Sequence, residues 1–245
     1  MKRARVAIVI LNWNGWLDTL ACVASLQALD YADCRIVLVD NGSTDGSAQQ
    51  FARAIPTVEL VQTGANLGFG GGCNVGIRHA MASGAEFVWL VNSDAVVDPA
   101  ALTAMVRLAD SNPAVGAVGS VVFDAEARGT VQVWGGGRVS LWLGRSVHCQ
   151  SPGAMVDFVS GASVLLRCAA LDQVGLFDDA LFFMYWEDTD LGFRLRKAGW
   201  TLAVAADGPP VGTATRAQAQ RWLQAQGYQP TVLQLGPLTR LGARA

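Results

Sequence analysis

Val6-Ala7-Ile8-Val9-Ile10-Leu11-Asn12-Trp13-Asn14-Gly15 decides how the rest of the chain is read. Six apolar residues in succession leave no polar face, so the strand they form must be covered on both sides, as strands of a parallel sheet are. The run stops at Asn12, and open α/β sheets hold their ligands at this carboxyl end of a strand. The pattern recurs three times: Arg35-Val39 leads into Asp40-Asn41-Gly42-Ser43, Val58-Gln62 into Asn66 to Asn74, and Phe87-Val91 into Asn92-Ser93-Asp94. Between these runs, Leu17-Gln27, Ser47-Ala54 and Gly72-Ser83 carry Leu, Val, Ile and Ala at helical spacing. A βαβα series of this kind predicts an α/β fold, with a Rossmann-like, mostly parallel central sheet and helices on both faces. Four polar strand ends then converge on one crevice.

The second half has a different texture. A helix is predicted from about Pro99 to Ala109, a strand over Val115-Phe123, and a hairpin over Val131 to Val147, broken by Gly135-Gly136-Gly137. Phe158-Arg167 reads as one more strand. An acidic and aromatic patch follows, Phe177 to Asp190, and leads into an amphipathic helix that ends near Ala198-Gly199, where the glycine suits the position after a helix.

Composition narrows the function. The 245 residues are 51% hydrophobic and 16% charged, enough for one sizeable core. With 18 Lys+Arg against 20 Asp+Glu, the net charge of −2 lacks the cationic excess that nucleic-acid binding needs. Lysine occurs only at positions 2 and 197, neither after a Gly-rich stretch, so a P-loop lysine is excluded. Cysteines 22, 34, 73, 149 and 168 are widely spread and form no C-x-x-C, which suggests neither a zinc knuckle nor a disulfide framework. A reducing cytoplasm is the expected compartment, with the inner face of the cell membrane open. The apolar run after the basic start is too short for a signal peptide, and no stretch reaches the roughly 18 apolar residues that span a bilayer.

Three segments carry candidate chemistry, each beside a plainer reading. Asp40-Asn41-Gly42-Ser43-Thr44-Asp45-Gly46-Ser47 is a well-capped strand-to-helix turn. Equally, Asp40 at the tip of a buried strand could accept the N3–H of uracil or thymine. Asn92-Ser93-Asp94 reads as a turn with a local cap, or as a carboxylate for Mg2+ or Mn2+, which take one or two protein carboxylates plus phosphate oxygens. In Trp186-Glu187-Asp188-Thr189-Asp190 the helix dipole favours acids in the first turn. Three acids beside Phe182-Phe183-Met184-Tyr185-Trp186 also suit an acceptor platform with a general base. The Gly-rich stretch Ala65 to Gly76 has no G-x-G-x-x-G register and follows strand three, so it is not a dinucleotide fingerprint. A loop whose backbone lies close to a ligand is the favoured reading, with Asn66 and Asn74 offering amides.

Together these pieces resemble the family 2 glycosyltransferases of the GT-A fold, most closely the rhamnosyltransferase-like branch that builds bacterial surface polysaccharides. In family order stand Val9 to Gly15, Val39 to Ser47, Asn66 to Gly76, Asn92-Ser93-Asp94, Ser160-Gly161-Ala162-Ser163, Val174 to Asp178, and Glu187 to Leu191 with Arg194-Leu195 and Ala198-Gly199. The resemblance implies inverting transfer of a sugar, rhamnose among the candidates, from a dTDP- or UDP-linked donor to a saccharide or lipid-linked acceptor. By position, Leu11, Asn12, Trp13, Asp40, Asn41, Asn66, Gly68, Phe69, Asn74 and Asn92 would contact the nucleotide sugar. Asp94 would hold Mg2+ or Mn2+, Asn92 standing where the family's D-x-D motif has its first acid. Asp188 would be the catalytic base, and Gly161, Ala162, Trp186 and Glu187 would seat the acceptor.

The pattern is lost after Ala206. Family members reach a Trp-His or similar segment, whereas Val211-Gly212-Thr213 stands here and the histidines, His79 and His148, lie upstream. Residues 1–206 therefore read as the GT-A domain and 207–245 as an atypical tail, divergent or frameshifted. A non-catalytic nucleotide-sugar or glycan-binding module with a defective C-terminal site stays open. A sugar-phosphate nucleotidyltransferase does not, because strand one lacks a G-x-G-T-R-like loop.

Overall fold

The computed structural model describes residues 4–123, 131–208 and 211–213. The chain alternates from the start: β1 (Val6–Asn12), α1 (Trp16–Gln27), β2 (Cys34–Asp40), α2 (Ser47–Ala54), β3 (Glu59–Gln62), α3 (Gly68–Ala82) and β4 (Phe87–Asn92). A short β5 (Ala95–Val97) and α4 (Ala101–Ser111) lead to the long β6 (Val115–Phe123). Then come β7 (Val131–Trp134), β8 (Gly136–Ser140), β9 (Arg145–His148), β10 (Phe158–Val159), β11 (Ser163–Arg167), α5 (Cys168–Val174), α6 (Glu187–Lys197), β12 (Thr201–Ala205) and β13 (Val211–Thr213).

The main sheet runs β3-β2-β1-β4-β11-β6-β13-β5, with β12 and β7 also pairing β6. Strands β3, β2, β1 and β4 are mutually parallel. β11 enters antiparallel between β4 and β6, so the sheet is mixed beyond β4. β8, β9 and β10 form a separate three-stranded sheet. Even-numbered residues of β1 pack with α1, α2 and α4, while Ala7 and Val9 face α3, α5 and α6, so helices cover both faces as the uniformly apolar strand required.

Four local expectations shift. α3 begins at Gly68 rather than Gly72, so the Gly-rich stretch is its first turns and not a loop. The reason is steric: a Cβ on Gly72 would stand 2.5 Å from Leu11 Cδ1, and one on Gly71 2.9 Å from Leu67 Cβ. Phe158-Arg167 divides at Ser160-Gly161-Ala162 into β10 and β11, which belong to different sheets. The expected hairpin over Val131 to Val147 becomes three strands, because Gly135, at φ +69°, sends β7 to the main sheet and β8 to the small one. Lastly, β12 and β13 lie either side of Ala206 and both pair with β6, so Val211–Thr213 is built into the main sheet. Residues 214–245 of the expected tail lie outside the described residues.

Candidate nucleotide-sugar site

Strand register sets the first contacts. Asn12 is paired with Asp40 across β1 and β2, and Leu11 faces Asn92 across β1 and β4. Asn12, wholly buried, donates from Nδ2 to Asp40 Oδ1 at 2.9 Å and to Ser43 Oγ at 3.0 Å. Ser43 Oγ donates to the same Oδ1, and Thr19 Oγ1 donates to Asn12 Oδ1 at 2.9 Å. A buried carboxylate is costly unless hydrogen bonded, and this clamp meets that cost while fixing the orientation of Asp40. Asn14, in the left-handed region at φ +53°, ties the loops after β1 and β2 together by accepting from Thr44 N and bringing its own N–H to Ser43 Oγ.

Asn41 locks the next loop. Its Nδ2 donates to Asn66 Oδ1 and to the Gly68 carbonyl, each at 3.0 Å, and its Oδ1 accepts from Leu67 N. Asn66 Oδ1 also accepts from Gly68 N at 2.9 Å. Asn74 has a different partner from the one expected. Fully buried, it donates to the Phe177 carbonyl at 2.8 Å and accepts from Phe177 N at 3.1 Å, pinning α3 to the segment before α6. Its amide is thus turned to that main chain, with no exposure to solvent. Gly68, at φ +75°, lies against the Phe183 carbonyl, which accepts from Phe69 N at 2.8 Å, and a side chain there would collide with it.

Below these loops lies a cavity of about 280 Å3. Leu11, Phe69, Asn92, Asp94 and Gly161 line it together with Gly15, Asp18, Cys73 and Ser93. Asp18 and Cys73 were not singled out in the sequence, since a first-turn acid and an apolar helix position carry ordinary readings. Asp94 is open to solvent at this concavity, yet the surrounding walls displace enough water to raise its carboxyl above the usual range, partly offset by its own backbone N–H. Burial, and then the Asp94 charge, raise the Cys22 thiol, and burial and then Glu187 raise Cys73, so both stay protonated and unreactive. All five cysteines are free. Trp13, just after β1, is half exposed.

α6 stands behind the Gly161 loop that lines the cavity. Tyr185 and Trp186 both take left-handed backbone, at φ +69° and +74°, a strained reversal for two non-glycine residues in a row. It turns the chain so that the three acids face different ways. Asp190 pairs with Arg194 at 2.7 Å, and Arg194 also donates to the carbonyls of Val174, Gly175 and Leu176. Glu187 points inward beside the first turns of α3, 6% exposed, with Oε2 buried and unbonded among the described residues. Burial raises the Glu187 carboxyl above the usual range, against its own backbone N–H, and the neighbouring Asp188 charge adds to the rise. Asp188 faces the cavity loop: its Oδ2 accepts from Gly161 N at 3.0 Å. Ala162 fastens that loop to β4, its carbonyl accepting from Asn92 N at 3.0 Å.

Polar strand ends, an exposed acid at the cavity and a second acid bonded to the Gly161 loop that lines it occur in one arrangement. The family model "Glycosyltransferase like family 2" matches residues 4–225. The chain belongs to this family. That match runs past Ala206 and through β13. An N-acetylglucosaminyl-diphospho-decaprenol L-rhamnosyltransferase from Mycobacterium tuberculosis is 34% identical over 203 residues, covering 73% of this chain and 66% of the relative, so the chain spans just under two thirds of that protein. Among solved structures, S. aureus TarS 1-349 in complex with UDP superposes with a TM-score of 0.65 at 18% identity over 94% of this chain and 67% of TarS. The mannosyltransferase PcManGT from Pyrobaculum calidifontis, in complex with GDP-Man and Mn2+, does so with 0.62 at 18% identity over 91% of this chain and 60% of that one. These likenesses establish the GT-A fold for this family member. Among the described residues no group of three or more His, Cys, Asp or Glu gathers as a metal cluster, and no helix is long and apolar enough to cross a membrane.

Proposed function

We propose that this chain is an inverting, metal-dependent glycosyltransferase. It would carry a sugar from a dTDP- or UDP-linked donor to a saccharide or lipid-linked acceptor in cell-surface polysaccharide synthesis. The observation that carries the reading is the Asp40 clamp. Both of its bonds go to Oδ1, from Asn12 and Ser43, which directs our assignment of the N3–H of uracil or thymine to Oδ2. Leu11 and Trp13 frame the base, and Asn41 and Asn66 hold the loop that carries Gly68 and Phe69 along the donor.

A single exposed carboxylate suits Mg2+ or Mn2+, hard cations that keep phosphate and water oxygens as most of their ligands, so Asp94 fits as the protein's ligand with Asn92 beside it. When bound, such an ion offsets the charge of the departing diphosphate. Asp188 takes the proton of the acceptor hydroxyl. Its hydrogen bond from Gly161 N holds the carboxylate at the loop that lines the cavity, and Asp190 and Glu187 are turned elsewhere. One base opposite the leaving group is what single displacement with inversion requires, and a base placed within reach contributes about 10²- to 10⁴-fold. We assign the acceptor contacts to Gly161, Ala162 and Trp186, since Glu187 is buried beside α3. The mycobacterial relative, by its name, uses a diphospho-decaprenol acceptor and rhamnose, which supports a lipid-linked acceptor and a dTDP-rhamnose donor here.

The test is diphosphate release from dTDP-rhamnose and a panel of UDP- and dTDP-sugars, with Mn2+ or Mg2+, with and without lipid-linked acceptors. Release that depends on both metal and acceptor is expected. Tight donor binding with no release under any condition would overturn the enzyme and leave a nucleotide-sugar-binding module.

A further inference from the structure

β8 and β9 form a hairpin whose tip faces solvent with its most apolar residues. Ser140 pairs with Arg145, and the loop between them is Leu141-Trp142-Leu143-Gly144, closed by Leu143 N donating to the Ser140 carbonyl at 3.1 Å. Trp142 is 95% exposed, Leu141 79% and Leu143 64%. Scattered exposed apolar residues are ordinary, but three in a row on a protruding turn are not. Directly opposed residues share a face, so Arg138 opposite Val147 and Ser140 opposite Arg145 put two guanidinium groups on one face behind the tip.

Charge sets the class of partner. From Val131 to Val156 the sequence has no Asp or Glu, while Arg138, Arg145 and His148 lie within it, in a chain whose net charge is −2. Asp157, at the hairpin's base, accepts from Val139 N and pairs with Arg196 at 2.6 Å. The tip is too small for a second copy: a buried Trp contributes about 150–250 Å2, well short of the roughly 800 Å2 each partner brings to a stable interface. An apolar point with an indole and two arginines behind it matches the interface of an anionic bilayer, where Trp settles at the headgroups and cations meet lipid phosphates. The hairpin also leads, through β8 pairing with β10, to the Gly161 loop at the cavity.

We propose that the β8–β9 hairpin docks this protein on an anionic membrane surface, with Leu141, Trp142 and Leu143 in the interfacial layer and Arg138 and Arg145 on the headgroups. Binding is read without turnover, so its failure is distinct from failure of the proposed reaction. The full chain is sedimented with sucrose-loaded vesicles of phosphatidylcholine alone or of equimolar phosphatidylcholine and phosphatidylglycerol. Changing Leu141, Trp142 and Leu143 together to Ser should lower partitioning at least tenfold on both vesicle types. Arg138→Ala with Arg145→Ala should lower it only on anionic vesicles, roughly fivefold per arginine at low salt. Trp142→Phe should keep binding but lose part of the tryptophan quenching by brominated lipid. Circular dichroism confirms that each variant is folded. The proposal is overturned if the parent does not sediment, if the triple variant sediments equally, if quenching in the Phe variant is unchanged, or if the triple change instead converts a dimer to a monomer in ultracentrifugation.

Discussion

Asn12→Asp is the sharpest probe of the clamp, because it changes one nitrogen to oxygen and nothing in shape. The donor that meets Asp40 Oδ1 at 2.9 Å becomes a second carboxylate at a position with no solvent exposure. Two unit charges at that separation repel by about 6 kcal/mol at an effective dielectric near 20. Holding a proton on one of them at pH 7 is cheaper: about three units above an ordinary Asp pKa of 3.9, at 1.36 kcal/mol each, or about 4 kcal/mol. The folded variant therefore keeps one shared proton that the unfolded chain releases above about pH 4. Stability then falls as pH rises, and the deficit against the parent shrinks to about 1.5 kcal/mol at pH 5, about one unit above the same reference. Urea unfolding of parent and variant at pH 5 and pH 7 reads this directly, with m-values compared to confirm like unfolding. An equal deficit at both pH values, or one below about 1 kcal/mol at pH 7, would mean that Asn12 and Asp40 do not meet as described.

Asp188→Asn should keep nucleotide binding by calorimetry and lower transfer by roughly 10²-fold or more, read as kcat. Asp94→Asn, or EDTA on the parent, should abolish diphosphate release while leaving the unfolding midpoint within a few degrees, since Asp94 lies on the surface of the cavity. Glu187→Gln should raise Tm at pH 7: burial raises the native carboxyl, so its folding contribution is full below the unfolded carboxylate pKa and is lost as pH rises through the folded value. The gain should vanish near pH 4, and a gain that persists there would contradict the assignment. Gly76→Ala would drive a Cβ into Val9 Cγ1 and within 2.9 Å of Val39 Cγ2, where overpacking costs about 1–3 kcal/mol by urea unfolding.

The sequence alone determined the parallel half of the sheet. Residues 6–11, 36–39 and 87–91 are apolar on both faces, and a strand with no polar face has to lie between two layers, with its polar sequel at the ligand edge. Asp40 and Asp94 drew attention as acids at the ends of apolar runs, and Asp188 was singled out by the family resemblance; their roles are part of the proposal. What only the tertiary structure decided is who meets whom. Asn74 finds its partner 103 residues away, at Phe177. β11 enters antiparallel between β4 and β6, and Val211–Thr213 closes on β5 and β6 although its sequence lacks the expected family ending. Asp18 and Gly15 become cavity wall only because α1 is packed beside β1 and β5. A buried amide or carbonyl bonds to whatever group chain closure brings within 3 Å, and a strand pairs with whichever edge is left open. Such long-range choices leave no local mark, so the sequence announced which atoms had work to do and the fold chose their partners.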